Sequence, residues 1–176
     1  MPVSLRALSE SHIPAILEAC SDWEELAQHG PPYWRPRSPA EIQRKIDATS
    51  GPTPATEYNF VLRTDEGRLV GECSLHAIDW RSRVAQVGIC VWSPEDRTHG
   101  HGRSGVLAMV EWGFDHLGLH RLEAWIVDGN GPSQRLFTQL GFTHEATLRR
   151  RYLHAGVYRN VALYALIADD SQSTCI

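Results

Sequence analysis

The stretch Arg97-Thr98-His99-Gly100-His101-Gly102-Arg103 joins two segments of different periodicity. Before it, Val84 to Trp92 reads as a strand that Pro94 ends; after it, Val106, Leu107, Val110, Phe114 and Leu117 recur at helical spacing, with Gly118 as the C-terminal cap. Glycines at alternate positions let a main chain approach a ligand closely, and a helix N-terminus adds N–H donors and a dipole that favours an anion. A pyrophosphate fits that description, although two glycines also suffice for a plain strand-to-helix turn. No Lys-Ser or Lys-Thr pair follows the glycines, so the stretch is not a triphosphate-binding P-loop. The spacing Gly-x-Gly-Arg-Ser-Gly also misses the dinucleotide fingerprint.

The strand Val84–Trp92 is preceded by two more, Tyr58–Arg63 and Leu69–Ile78, joined by the acidic turn Asp65-Glu66-Gly67. Upstream, Ser11 is placed to cap a helix carrying Ile13, Ile16, Leu17 and Cys20, and Ser38-Pro39-x-Glu41 is a capping box that opens a second helix through Ile42 and Ile46. Between them, residues 30–39 hold four prolines together with Tyr33 and Trp34, a loop placed to cover a substrate. Residues 50–56 form another Pro/Gly/Thr loop. Downstream lie a short apolar strand, Arg121–Val127, a helix after Asn130-Gly131-Pro132 that Gly141 stops, and two closing strands, Phe142–Leu148 and Val157–Ile167. Helices alternate with strands only in the middle of the chain, which predicts an α/β fold with a mixed sheet rather than a doubly wound one.

A length of 176 residues predicts one domain, residues 1–168, with a polar tail, 169–176. Hydrophobic residues at 42 % and charged residues at 22 % suit a globular chain. The formal charge of −4 gives no field toward nucleic acid or an anionic membrane, and no run approaches the ~20 apolar residues of a membrane-spanning helix. Cys20, Cys73, Cys90 and Cys175 are widely spaced and no leader-like segment precedes them, so a reducing cytoplasm is expected. The nine histidines show no metal-ligand spacing, and no metal site is expected.

Arg97-x-x-Gly100-x-Gly102 resembles the acyl-CoA pyrophosphate loop of the GCN5-related N-acetyltransferase superfamily. Asn130-x-x-Ser133, Leu140-Gly141-Phe142, the segment Gly156–Asn160 and Leu163–Leu166 are similar to its ribosomal-protein-alanine acetyltransferase branch, in order, over roughly Leu5 to Ala168. The resemblance implies a central twisted, mostly antiparallel sheet flanked by helices, with acetyl-CoA as cosubstrate. The implied cofactor contacts are Cys90, Val91 and Trp92, through main-chain groups where two strands splay, the loop Arg97, Thr98, His99, Gly100, His101, Gly102 and Arg103, and Asn130 with Ser133. It also implies direct attack by a primary amine, on a small molecule or a protein N-terminus, and leaves a homodimer open.

Two positions depart from the family's pattern. Phe137 stands where many relatives carry the tyrosine that protonates the leaving thiolate, so Ser133 becomes the candidate donor, or else a cap or packing residue. Gln86 stands where some relatives carry a basic glutamate, which moves the candidate base to Glu72, or to Glu123, unless Glu72 is only a salt-bridged strand carboxylate. These departures also admit a catalytically silent CoA-binding or regulatory module. Arg149, Arg150 and Arg151 form the basic cluster, either a solvated strand end or a partner for an acidic substrate or the 3′-phosphate of the cofactor.

Overall fold

The computed structural model describes residues 3–28, 35–50 and 54–171. The expected substrate-covering residues Tyr33 and Trp34, the centre of the 50–56 loop and the end of the polar tail lie outside them, as does Cys175. Seven strands make one sheet: β1 Val3–Ala7, β2 Tyr58–Thr64, β3 Leu69–Asp79, β4 Val84–Val91, β5 Arg121–Val127, β6 Thr143–His154 and β7 Val157–Ile167. Their order across the sheet is β1-β2-β3-β4-β5-β7-β6, and only the β4–β5 pair is parallel. The fold is thus the expected mixed, mostly antiparallel sheet flanked by helices. A parallel pair needs a crossover, and helix α4, His101–Glu111, with the π-helical turn Trp112–His116, supplies it.

Strand alternation explains how both faces are covered. On β2, Val61 and Leu62 are both fully buried, and being neighbours they point to opposite sides. Leu62 joins Leu75, Val106, Met109 and Leu122 under α4. Val61 joins Ile16, Leu26, Ile42 and Trp92 under α1, Ile13–Ala19, α2, Trp23–Ala27, and α3, Pro39–Ser50. Along β3 the buried Cys73 and Leu75 face α4, which leaves Glu72, Ser74 and His76 on the α3 side. No helix among the described residues is long and apolar enough to cross a membrane.

Local chemistry sets the helix starts. α3 opens as expected, Ser38 Oγ accepting from the Glu41 N–H at 3.3 Å. The expectation that Ser11 caps the first helix is corrected: Ser9 starts a 3₁₀ turn, Glu10–His12, that feeds α1. α5, Gly131–Gln139, starts at Asn130, whose side-chain oxygen accepts from the Ser133 N–H at 3.1 Å.

Candidate active site

β4 and β5 pair only from Val84–Arg121 to Gln86–Glu123 and then diverge. The divergence opens a cleft of about 160 Å³ lined by Gln86, Val87, Gly88 and Ile89 on one wall, Ala124 to Val127 on the other, and Asn130, Ser133, Phe137 and Tyr152 at its side. The Trp92 N–H donates to Val70 O at 3.1 Å. Bonded antiparallel pairs recur every second residue, so Cys90–Glu72, Gly88–Ser74 and Gln86–His76 are the bonded pairs toward β3. The main-chain groups of Val87, Ile89 and Val91 therefore project toward β5; the parallel Gln86–Glu123 pair takes up the Val87 N–H, and beyond it no strand meets the Val87 carbonyl or the main-chain groups of Ile89 and Val91.

This geometry shifts the expected cofactor wall. Trp92 is corrected: its N–H is used by Val70 and its ring is 3 % exposed in the core under α1–α3, where Nε1 finds no partner. Cys90 is corrected as well, because its main chain pairs with Glu72 on β3 and the residue lines the opposite cavity, on the α3 side. Val91 keeps a main chain aimed at the gap, and Val87 and Ile89 join it.

At the mouth, Thr98 has φ +68° and Gly100 φ +83°, an alternation that turns successive N–H groups to one side. Left-handed backbone is strained for Thr98 and free for Gly100. His99 Nδ1 donates to Arg97 O at 2.9 Å and pins the loop. Ser104 N–H closes the first helical bond onto Gly100 O at 3.0 Å, so the N–H groups of His101, Gly102 and Arg103 have no acceptor within the helix. Arg103 is exposed on that first turn, while His101 is 2 % exposed and stacks at 6.1 Å on His99. The arrangement suits an anion.

The Arg97 guanidinium does not face that anion position. It pairs with Glu25, with Nη2 to Oε2 at 2.7 Å, and donates to the carbonyls of Val91 and Trp92 at 3.2 and 3.1 Å. Its place is to tie α2 to the end of β4, a correction to its expected cofactor contact. Ser133 lines the cleft and Asn130 caps α5 beside it, so Ser133 is not the side-chain cap. Phe137 is buried edge-to-face on Phe142, ring centroids 5.0 Å apart.

On the α3 side, a cavity of about 320 Å³ is lined by Arg35, Arg37, Glu41, Lys45, Glu72 and Cys90 among others. Glu72 takes both guanidinium nitrogens of Arg37, at 2.9 and 2.7 Å, and Lys45 Nζ at 3.4 Å. Burial alone raises this carboxyl; Lys45 and Arg37 outweigh it and hold it at about 2. Glu72 is therefore corrected as a base: an anion so stabilised takes a proton poorly at neutral pH. Glu123 is no better, bonded by Arg121 Nε at 2.8 Å and Trp125 Nε1 at 3.0 Å and lining neither cavity. Burial, with Glu72 and the Cys20 thiol adding to it, raises the Cys90 thiol far above its ordinary value, which disfavours a covalent acyl-enzyme. Among the described residues no group of three His, Cys, Asp or Glu is placed to hold a metal.

Two residues that motif reading passed over stand at the centre. His76, with Gly88 and Ile89, lines both cavities, and Tyr152, a second hydroxyl-bearing residue, lines the cleft. The signal for His76 was present: Glu72, Ser74 and His76 alternate along one strand face. Arg149 to Arg151 form a bulge in β6, with Arg150 at φ +51° and the Arg151 guanidinium 5.5 Å from the rings of Trp125 and Tyr152.

A mixed, mostly antiparallel sheet whose one parallel pair splays apart beside a strand-to-helix turn is the architecture of an acyl-CoA N-acetyltransferase fold. Residues 3–143 match the acetyltransferase (GNAT) domain family, and the chain belongs to it. Among curated relatives, the uncharacterized N-acetyltransferase YoaA of Bacillus subtilis is 30 % identical over 60 % of this chain and 59 % of its own length. The human alpha/beta-tubulin-N-acetyltransferase 9 is 32 % identical over 60 % of this chain and 48 % of its own. The matches thus span about half to three fifths of those relatives. A crystal structure of spermidine N-acetyltransferase from Vibrio cholerae in complex with CoA and spermine superposes with a TM-score of 0.83 at 21 % identity, over 97 % of this chain and 98 % of that one.

Proposed function

We propose that the protein transfers an acetyl group from acetyl-CoA to a primary amine by direct attack in a ternary complex. The observation that carries this reading is that His76, Gly88 and Ile89 line two cavities at once, the β4–β5 cleft on one side and the α3-side cavity on the other. Acetyl-CoA fits the first, with its phosphates at the Thr98–Arg103 turn and its amide-bearing arm along the main chain of Val87, Ile89 and Val91. When bound there it supplies an activated acyl group. The chain holds that group, offers a main-chain donor to its carbonyl and places hydroxyls, Ser133 and Tyr152, beside the departing sulfur.

The acceptor amine enters from the α3 side. Arg35, Arg37 and Lys45 outnumber Glu41 and Glu72 in that cavity, and both carboxylates are held by those cations. Such a lining supports an amine beside neutral or acidic groups, a small molecule or a protein N-terminus, over a polyamine. Incubation with acetyl-CoA and a panel of amines tests both statements, read by thiol release and by the mass gain of one acetyl group. Transfer to neutral or acidic amines ahead of spermine is expected. Saturable CoA binding without transfer to any amine contradicts the reading and favours a silent CoA-binding module.

A further inference from the structure

We propose that His76 takes the proton that the acceptor amine loses before it attacks, and that Ser74 positions the imidazole for that step. The proposal rests on the acetyl-transfer reading above. Among the described residues His76 is the one ionisable group that lines both cavities, so it stands where amine and acyl group meet.

The surroundings are built around this ring. Its Nδ1 lies 3.1 Å from Ser74 Oγ. Across the pair from Ser74 is Gly88, and a Cβ there would come within 2.7 Å of Ser74 Oγ and 3.3 Å of the His76 ring. The missing side chain is the space the Ser74–His76 pair occupies. Just beyond His76 the β3–β4 register shifts, with Ala77 at φ +50°. A non-glycine residue held left-handed at a bulge re-aims the neighbouring side chain and is common beside active sites.

The ring's charge state suits the task. Burial lowers its pKa below the ordinary 6.5; Glu57, ahead of β2, pulls upward, Lys45 on α3 downward, and a hydrogen bond with Gln86 on β4 upward. The net direction is down, so the imidazole is neutral and able to accept a proton at physiological pH. The competing groups are committed: Glu72 to Arg37 and Lys45, and Glu41 to Arg35 at 3.0 Å.

The acceptor arrives as an ammonium; one N–H bond breaks, its electron pair stays on nitrogen and the proton goes to the imidazole. The neutral amine forms the C–N bond to the acetyl carbon, and the C–S bond breaks with its electron pair leaving on sulfur. A cleft hydroxyl, Ser133 or Tyr152, gives its proton to that thiolate and regains the nitrogen's surplus proton, giving amide and free CoA thiol. The imidazolium then releases its proton to solvent.

The test is kcat/KM against pH for the wild type, His76→Gln and Ser74→Ala, with an amine the wild type acetylates. Wild-type rate is expected to rise through a pKa below 6.5. His76→Gln is expected to lose roughly 10²-fold at neutral pH together with that limb, recovering at high pH where the free amine is abundant. Ser74→Ala is expected to keep the limb at reduced rate. All three should show the same thermal shift with acetyl-CoA, which separates a lost proton acceptor from a lost fold. A His76→Gln variant within about threefold of wild type that retains the limb overturns the proposal. So does an NMR titration of wild-type His76 whose pKa differs from the kinetic limb by more than about one unit. A wild type that acetylates no amine removes the acetyl-transfer reading itself, whereas an active wild type beside an unaffected variant removes only the role of His76.

Discussion

The two cavities that His76 lines are built in opposite ways. The β4–β5 cleft offers main-chain groups: one strand edge whose pairing stops at Gln86, and a helix start whose first N–H groups have no acceptor within the helix. The α3-side cavity is lined with charged side chains that satisfy one another, Arg37 and Lys45 on Glu72 and Arg35 on Glu41. A site made of main chain binds whatever carries the right amides and phosphates, which suits a cofactor common to a whole family. A site made of paired side chains is specific to its own sequence, which suits an acceptor.

The comparison breaks most visibly if the Arg37–Glu72–Lys45 cluster is not structural. Arg37 and Glu72 side chains are 7 % and 17 % exposed. Arg37→Met leaves a buried carboxylate with Lys45 alone, and its unfolding free energy is expected to fall by ~3–5 kcal/mol in chemical denaturation. Replacing Glu72 by Leu in the same chain should restore much of that loss.

Acid provides the same test without mutation. The Glu72 carboxyl has its pKa lowered on folding, from 4.5 to about 2, so the unfolded chain binds its proton first. The stability it contributes is whole above about 4.5 and is lost as pH falls toward about 2. That loss is expected to be on the order of 3 kcal/mol, and Glu72→Gln should flatten the slope over the same window.

On the cleft side, the two loop glycines are expected to differ. Gly100 has φ +83°, where a β-carbon costs ~1–2 kcal/mol, so Gly100→Ala should lose stability and acetyl-CoA affinity together. Gly102 has ordinary helical backbone, and an added Cβ meets Leu136, Ile89 and Val91 at 3.5 to 3.9 Å, so Gly102→Ala should change stability by less than ~0.5 kcal/mol. Thermal unfolding with and without acetyl-CoA reads both effects.

The α5 start gives the smallest contrast. Asn130→Ala removes the cap and should cost about 1 kcal/mol. Ser133→Ala leaves the cap in place and should lower kcat about tenfold at unchanged stability, with Tyr152 still lining the cleft. An unchanged kcat would leave protonation of the thiolate to Tyr152 or water.

What was legible in the sequence follows the same division. The strands Arg121–Val127 and Val157–Ile167 and the turn at Arg97–Gly102 are local patterns, and the structure places their elements where periodicity puts them. Val3–Ala7 and Trp23–Ala27 were not legible, because five residues show neither period clearly. The Arg37–Glu72 pair spans 35 residues of chain, and nothing local marks Glu72 as an ion-pair member rather than a base. The Arg97 side chain misled for the same reason: its partner Glu25 is 72 residues away.

The most direct measurement of the account is a titration of isotope-labelled protein with acetyl-CoA, following backbone amide shifts residue by residue. Saturable shifts of the Ile89 and Val91 amides and of the Thr98–Arg103 turn are expected, with the Arg37–Glu72–Lys45 cluster nearly unmoved. Absence of saturable binding, or shifts confined to the α3-side cavity, contradicts it.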